Sequence, residues 1–81
     1  MAWQEYLEID NQKFISALAY DGSNNLIYSG KALTGSSKAT ACWQIKKYTY
    51  DGSSNLTDIQ FCDGNNNFDN VWNDRVSYSY S

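Results

Sequence analysis

Tyr20-Asp21-Gly22-Ser23-Asn24-Asn25-Leu26 recurs thirty positions later as Tyr50-Asp51-Gly52-Ser53-Ser54-Asn55-Leu56, and this repeated phrase organises the fold. Each copy follows one hydrophobic stretch and leads into another. Asp-Gly tolerates the positive φ angles of tight turns, and Asn supports them. The phrase therefore predicts two hairpin turns within one all-β chain.

The composition indicates a single small domain with a surface suited to protein contacts. The chain has 81 residues, of which 42% are hydrophobic and 16% aromatic, and tyrosine supplies seven of the aromatic side chains. This length fits one domain, and the apolar content is too high for a disordered tail. Tyrosine suits half-buried strands and interfaces with a wet edge. We expect residues 13–81 to form one β domain, and residues 1–12 to form an N-terminal arm or a first strand.

Several function classes find little support in the residues present. The chain has no histidine, the commonest general base and zinc nitrogen ligand, and its net charge of -3 disfavours nucleic acid as a partner. The oxygen-rich residues 63–69 lack the residue order of an EF-hand, which favours an Asn-rich turn over an ion site. No apolar run is long enough to cross a membrane, and the N-terminus lacks the pattern of a signal peptide. We expect no enzymatic activity, no catalytic, cofactor or metal site, and folding in a cytosol.

The two cysteines, Cys42 and Cys62, are equidistant from Gly52 in the second turn. A hairpin symmetric about Gly52 would bring the two sulfurs together across neighbouring strands, which would allow a disulfide. A one-residue slip would place them on opposite faces. Free buried thiols are the interpretation that a reducing cytosol favours.

Strands are predicted on both sides of each turn. Residues 13–20 form an apolar run of strand length before the first turn, and residues 26–28 return after it. Residues 41–50 precede the second turn, and Ile59 and Phe61 alternate after it. These elements predict a small antiparallel β-sandwich or barrel built from hairpins.

Three further segments complete the predicted domain. Residues 30–40 are predicted to form a loop because they contain clustered Gly and Ser. The spacing of the apolar residues in 68–72 predicts one short helical turn. Residues 76–81 alternate strictly between large residues and serine, which predicts a C-terminal edge strand open to pairing with another chain.

Seven side chains are candidates for structural or interface roles. Aromatic residues in a small β domain pack in the core or at subunit contacts, or they form a platform that stacks on sugar rings. The single arginine is expected to bond an acid or carbonyl on a neighbouring strand or subunit. The candidates are Trp43, Ile45, Phe68, Trp72, Arg75, Tyr78 and Tyr80.

Two stretches of the chain resemble a small family of virion structural proteins of tailed bacteriophages. The first is Ile27-Tyr28-Ser29-Gly30-Lys31-Ala32, which continues after a Gly/Ser/Thr loop as Ala41-Cys42-Trp43-Gln44-Ile45-Lys46-Lys47. The second is Asp63-Gly64-Asn65-Asn66-Asn67-Phe68-Asp69-Asn70-Val71-Trp72-Asn73-Asp74-Arg75, which leads into a Ser/Tyr segment. The second stretch is the more specific, and residues 1–20 carry little of the resemblance.

The resemblance implies a non-enzymatic structural component that contacts other virion proteins and copies of itself. A place in the tail or the head–tail connector is favoured, and decoration of the capsid comes next. Such a protein would fold and assemble in the host cytoplasm and end in the virion. The alternative is a small carbohydrate-binding or receptor-facing β module, for which a glycan would be the partner.

Overall fold

The computed structural model describes residues 13–81, so the predicted arm or strand over residues 1–12 lies outside the described residues. Four strands form an antiparallel meander in the order β1-β2-β3-β4, and a short fifth strand pairs with β3. The predicted all-β antiparallel fold, built from hairpins with one short helical element, is confirmed. The elements are β1 (Phe14–Tyr20), β2 (Leu26–Leu33), β3 (Ala41–Tyr50), β4 (Leu56–Phe61), β5 (Asn70–Val71) and a 3₁₀ helix (Trp72–Ser77).

The two copies of the repeated phrase form two hairpin turns with the same hydrogen bonds. In the first turn the Asp21 amide donates to the Asn25 carbonyl at 3.0 Å, and in the second the Asp51 amide donates to the Asn55 carbonyl at 2.9 Å. Each aspartate carboxylate also accepts backbone N–H groups two and four residues further on. These local bonds favour the same turn in both places, which confirms the predicted hairpins.

The residue with positive φ in each turn is not the glycine. Asn24 has a φ of 65° and Ser54 a φ of 63°, whereas neither Gly22 nor Gly52 has a positive φ. A type I turn followed by one left-handed residue is the usual three-residue hairpin loop. The left-handed position therefore falls two residues after the glycine, on Asn in one copy and on Ser in the other.

The strand register separates the two cysteines. Lys46 pairs with Phe61 across β3 and β4, and the Cys62 amide donates to the Ile45 carbonyl at 2.9 Å. Cys62 therefore lies opposite Ile45 and not opposite Cys42, because the hairpin is not symmetric about Gly52. Both thiols are free.

The second strand extends further than the sequence indicates. Residues 30–33 belong to β2, where Gly30 pairs with Ala17 on one side and with Ile45 on the other. The prediction of a loop over residues 30–40 was wrong for this part. Gly30 is in a strand because two indole rings pack where its Cβ would be, so its small size serves packing and not a turn.

The C-terminal segment differs from both predictions made for it. Residues 70–71 form β5, and the helical turn predicted at 68–72 lies instead at Trp72–Ser77. The predicted strand over residues 76–81 was wrong for its first half, which ends the 3₁₀ helix, while residues 79–81 pair with residues 61–63 through backbone hydrogen bonds and a single bridge from Tyr80 to Cys62. The tyrosine hydroxyls explain this: they bond to backbone groups of the same segment, which favours a compact coil over an extended edge strand.

The core lies between one face of the sheet and this C-terminal segment. The rings of Trp43 and Trp72 meet there, with centroids 6.0 Å apart and a tilt of 42°. The small residues of β1 and β2 leave room for the two indoles. The buried hydrophobic residues are Ala17, Ala32, Trp43, Ile45, Cys62 and Trp72.

Candidate functional site

The face of the sheet opposite the core is the candidate site, and we call it the open face. Side chains alternate between the two faces along each strand, so the register fixes which residues share it. In β1 the residues of this face are exposed, while those between them are buried or half-buried. The open face consists of Phe14, Ser16, Leu18, Ser29, Lys31, Leu33, Gln44, Lys46, Tyr48, Ile59 and Phe61.

Exposed apolar side chains stand among polar ones on the open face within residues 13–81. Leu18 is 52% exposed, Leu33 46% and Ile59 51%. They come from β1, β2 and β4, and polar residues of the same face lie between them, namely Ser16, Ser29, Lys31 and Lys46. Exposed apolar side chains grouped on one face of a sheet are a feature of interaction surfaces.

A groove lies at the corner of the open face where β1 begins. Phe68 reaches this corner from the loop before β5 and stacks on Phe14, with ring centroids 5.7 Å apart. Together with Leu33, Ser36 and Cys42, the two rings line a groove of about 330 Å³. Its lining suits one aromatic or aliphatic side chain.

The charged residues of the open face are lysines. The Lys31 ammonium lies 4.6 Å from the centroid of the Phe14 ring, and the Lys46 ammonium lies 5.4 Å from that of Phe61. The single acid within β1 to β4 is Asp58, which precedes Ile59 and therefore points to the other face. The open face thus combines apolar surface with positive charge.

Three of the seven candidate residues lie in the core. Trp43 is 0% exposed, Ile45 1% and Trp72 4%. The Trp43 indole N–H donates to the Ser37 carbonyl at 3.0 Å, which satisfies its polar atom. These side chains stabilise the fold and offer no surface to a neighbouring subunit or a sugar.

Three further candidates hold the C-terminal segment in place. The Arg75 guanidinium stacks on the Trp72 ring at 4.6 Å and donates to the Trp72 carbonyl at 3.3 Å. The arginine therefore bonds within its own helix and not to a neighbouring strand, while the predicted bond to a neighbouring subunit stays a prediction. The Tyr78 hydroxyl accepts the Val71 amide at 3.0 Å, and the Tyr80 hydroxyl donates to the Arg75 carbonyl at 2.7 Å.

Phe68 is the one candidate residue that reaches the open face. The principal apolar residues of that face, Leu18, Leu33 and Ile59, were missed by the sequence reasoning. β1 gives no clear signal of the difference between the faces, because Ile15 shares the covered face with Ala17, and Ser16 shares the open face with Leu18.

The titratable groups near the core are shifted toward their neutral forms. Burial, with a smaller contribution from Asp63, raises the pKa of the Cys62 thiol to about 11, which keeps the sulfur protonated and unreactive at neutral pH. Burial also raises the pKa of Tyr80. Within the described part of the chain, no cluster of three metal-ligating side chains occurs.

The Asn-rich segment at residues 63–69 contains the turn that the sequence predicted. Asp63 and Gly64 both have positive φ, and the Asn65 side chain accepts the Asn67 amide at 3.0 Å.

Residues 13–81 contain no helix with the length and apolar character that a membrane crossing requires.

The open face therefore combines exposed apolar side chains with the positive charge of Lys31 and Lys46. Comparisons with known proteins add no family to this description. No protein-family model matches the chain, and neither a curated protein nor a solved structure matches it.

Proposed function

We propose that this chain is a non-enzymatic structural protein of a tailed-bacteriophage virion that contacts neighbouring subunits through the open face. The tail or the head–tail connector is the favoured place, and capsid decoration is the second. Its partners are other virion proteins and further copies of itself, and it folds and assembles in the host cytoplasm. The part of this proposal that names a bacteriophage virion rests on the resemblance of residues 27–47 and 63–75 to the phage family.

The observation that carries this proposal is that three aliphatic side chains, Leu18, Leu33 and Ile59, are about half exposed on the same face of the sheet. A sheet with one face in water normally alternates apolar and polar residues. Here both faces carry large apolar side chains, although the described C-terminal segment covers only one. Repeated subunits in a particle would cover the other face and stabilise each domain by mass action.

Within residues 13–81, the tryptophans do not form the platform that the glycan-binding alternative requires. Sugar stacking needs an exposed aromatic ring, and Trp43 and Trp72 are both buried, whereas Tyr20 at the end of β1 is 57% exposed. The aromatic rings of the open face are those of Phe14, Tyr48 and Phe61, of which Phe14 already stacks on Phe68. The open face therefore favours a protein partner over a sugar.

The test compares open-face variants for incorporation into purified particles. Mass spectrometry of particles carrying the wild-type chain should detect it in many copies. The double variant Leu18→Asp/Ile59→Asp should fold and remain outside the particle, because two carboxylates replace exposed apolar side chains. The control is Val76→Asp, which changes a 75% exposed residue of the 3₁₀ helix away from the open face. Absence of the wild-type chain from particles would refute the proposal.

A further inference from the structure

We infer that residues 3–9 of a neighbouring copy occupy the open face, so that copies of this chain associate head to tail. This inference rests on the proposed function, since it names the partner of the same surface. Each copy would supply one acidic N-terminal segment and one basic apolar face. Such contacts are heterologous, because they join two different surfaces of the chain. They generate rings when the rotation from one copy to the next closes on itself, and helical stacks when it does not.

Charge complementarity is the first argument. Residues 1–12 contain three acidic residues, Glu5, Glu8 and Asp10, and no basic residue. Residues 13–81 contain six acidic and six basic residues, so the net charge of -3 lies entirely in residues 1–12. The open face presents Lys31 and Lys46 with no acid of its own strands beside them. Opposite charges on segment and face favour this pairing.

The same lysines exclude the simplest alternative contact between copies. Two open faces packed directly on each other would bring Lys31 and Lys46 of both copies into one interface. Burying like charges together is costly, and the strands of that face supply no carboxylate to offset it. A contact between copies through this face therefore needs an acidic element from the neighbour.

The apolar pattern and length of the segment form the second argument. Trp3, Glu5, Leu7 and Ile9 share one parity, so an extended segment would present them together, with Glu8 on its other side. The chain enters β1 beside the groove, because the Lys13 carbonyl accepts the Thr34 amide at 3.1 Å. Ten extended residues reach about 33 Å, while four strands span about 14 Å. The segment is long enough to leave its own domain and cross a neighbour's face.

The experiment uses two full-length variants that each lack one half of the contact. The segment variant is Trp3→Ser/Leu7→Ser, and the face variant is Leu18→Asp/Ile59→Asp. Size-exclusion chromatography with light scattering should show each variant alone at its monomer mass of 9.2 kDa. Mixing them should give a one-to-one dimer that grows no further, because only the intact segment of the face variant can bind the intact face of the segment variant.

A charge-reversal pair provides a second measurement with little risk to folding. Lys31→Glu/Lys46→Glu and Glu5→Lys/Glu8→Lys should each weaken self-association about tenfold or more. Mixing these two variants should restore association, since every contact then joins opposite charges. The control Val76→Asp should associate as the wild type does, and circular dichroism should show that all variants fold.

Three outcomes would overturn the inference. A wild-type chain that stays monomeric at every concentration would mean that the N-terminal segment of one copy does not bind the open face of another. Wild-type association without dimer formation in the mixture would mean that another element covers the face, although the subunit contact itself would survive. Association that the charge reversal leaves unchanged would remove the electrostatic argument. None of these results would place the chain outside the virion, so the inference and the proposed function fail separately.

Discussion

Replacement of Gly30 by alanine tests whether the core is built around a missing side chain. A Cβ at Gly30 would lie 2.5 Å and 2.8 Å from Cε3 and Cζ3 of Trp72, and 3.0 Å from Cε3 of Trp43. Both indoles are buried, and their rings pack against each other. The rings cannot swing aside as the end of a flexible side chain would, so the methyl group must displace the 3₁₀ helix or the strand.

The expected loss of stability follows from two opposing effects. Overpacking a core by one methyl group costs about 1–3 kcal/mol. Replacing glycine by alanine restricts the unfolded chain, which returns about 0.4–1 kcal/mol. The centres of the two ranges, about 2 and about 0.7 kcal/mol, leave a net destabilisation of about 1.3 kcal/mol. A domain of this size has about 4–12 kcal/mol in total, so the change is roughly a tenth to a third of the free energy of unfolding.

Urea unfolding followed by tryptophan fluorescence measures this loss directly. With a slope of about 1 kcal/mol per molar urea, the midpoint of Gly30→Ala should fall by about 1 M. Gly22→Ala is the matched control, because no atom lies within 4 Å of its Cβ position and its φ is not positive. Its midpoint should stay level or rise slightly. Equal midpoints for Gly30→Ala and Gly22→Ala would refute the packing argument.

Three further predictions address the thiols and the turns. Alkylation under native conditions, followed by mass spectrometry, should label half-buried Cys42 before Cys62, whose burial raises its pKa to about 11; equal labelling rates would contradict the buried position of Cys62. Bonds from the Asn25 and Ser23 amides lower the pKa of Asp21, and the corresponding bonds lower that of Asp51. Their stabilising effect is therefore complete above the ordinary value of 3.8 and is lost as the pH falls through the lower folded value. Thermal unfolding midpoints should drop in acid, and the double Asp→Asn variant should show a flatter pH profile. Ser54→Asn should raise the unfolding midpoint, because Asn tolerates the positive φ of that position better than Ser does; a lower midpoint would oppose this reading of the turn.

The two turns could be predicted from the sequence because their bonds are local. Asp21 and Asp51 each bond amides within the next four residues, so the sequence around them contains the whole motif. The second hairpin followed for the same reason, from alternation on either side of its turn. Hydrophobic alternation and turn residues act over a few positions, and that is the range over which sequence patterns are informative.

The errors have a common cause in contacts between distant parts of the chain. Gly30 resembles a loop glycine until Trp72 is placed against it. The Ser/Tyr alternation at the C-terminus resembles a strand until the hydroxyls of Tyr78 and Tyr80 are seen to bond to Val71 and Arg75. The open face could not be predicted from the sequence, because its position depends on which face of the sheet the C-terminal segment covers. No pattern within β1 to β4 indicates that face.

The arrangement of residue sizes connects the core to the proposed contact surface. Because Trp43 and Trp72 fill the covered face, β1 and β2 need small residues there, and Ala17, Gly30 and Ala32 supply them. Alternation then places Phe14, Leu18 and Leu33 of the same strands on the open face, while Ile15 and Tyr28 pack against the core. Completing the burial of three half-exposed aliphatic residues there would contribute about 3 kcal/mol, taking about 1 kcal/mol for each. That gain is a substantial fraction of the total stability of a domain of this size, about 4–12 kcal/mol, so a partner on the open face would stabilise the fold as well as join the copies.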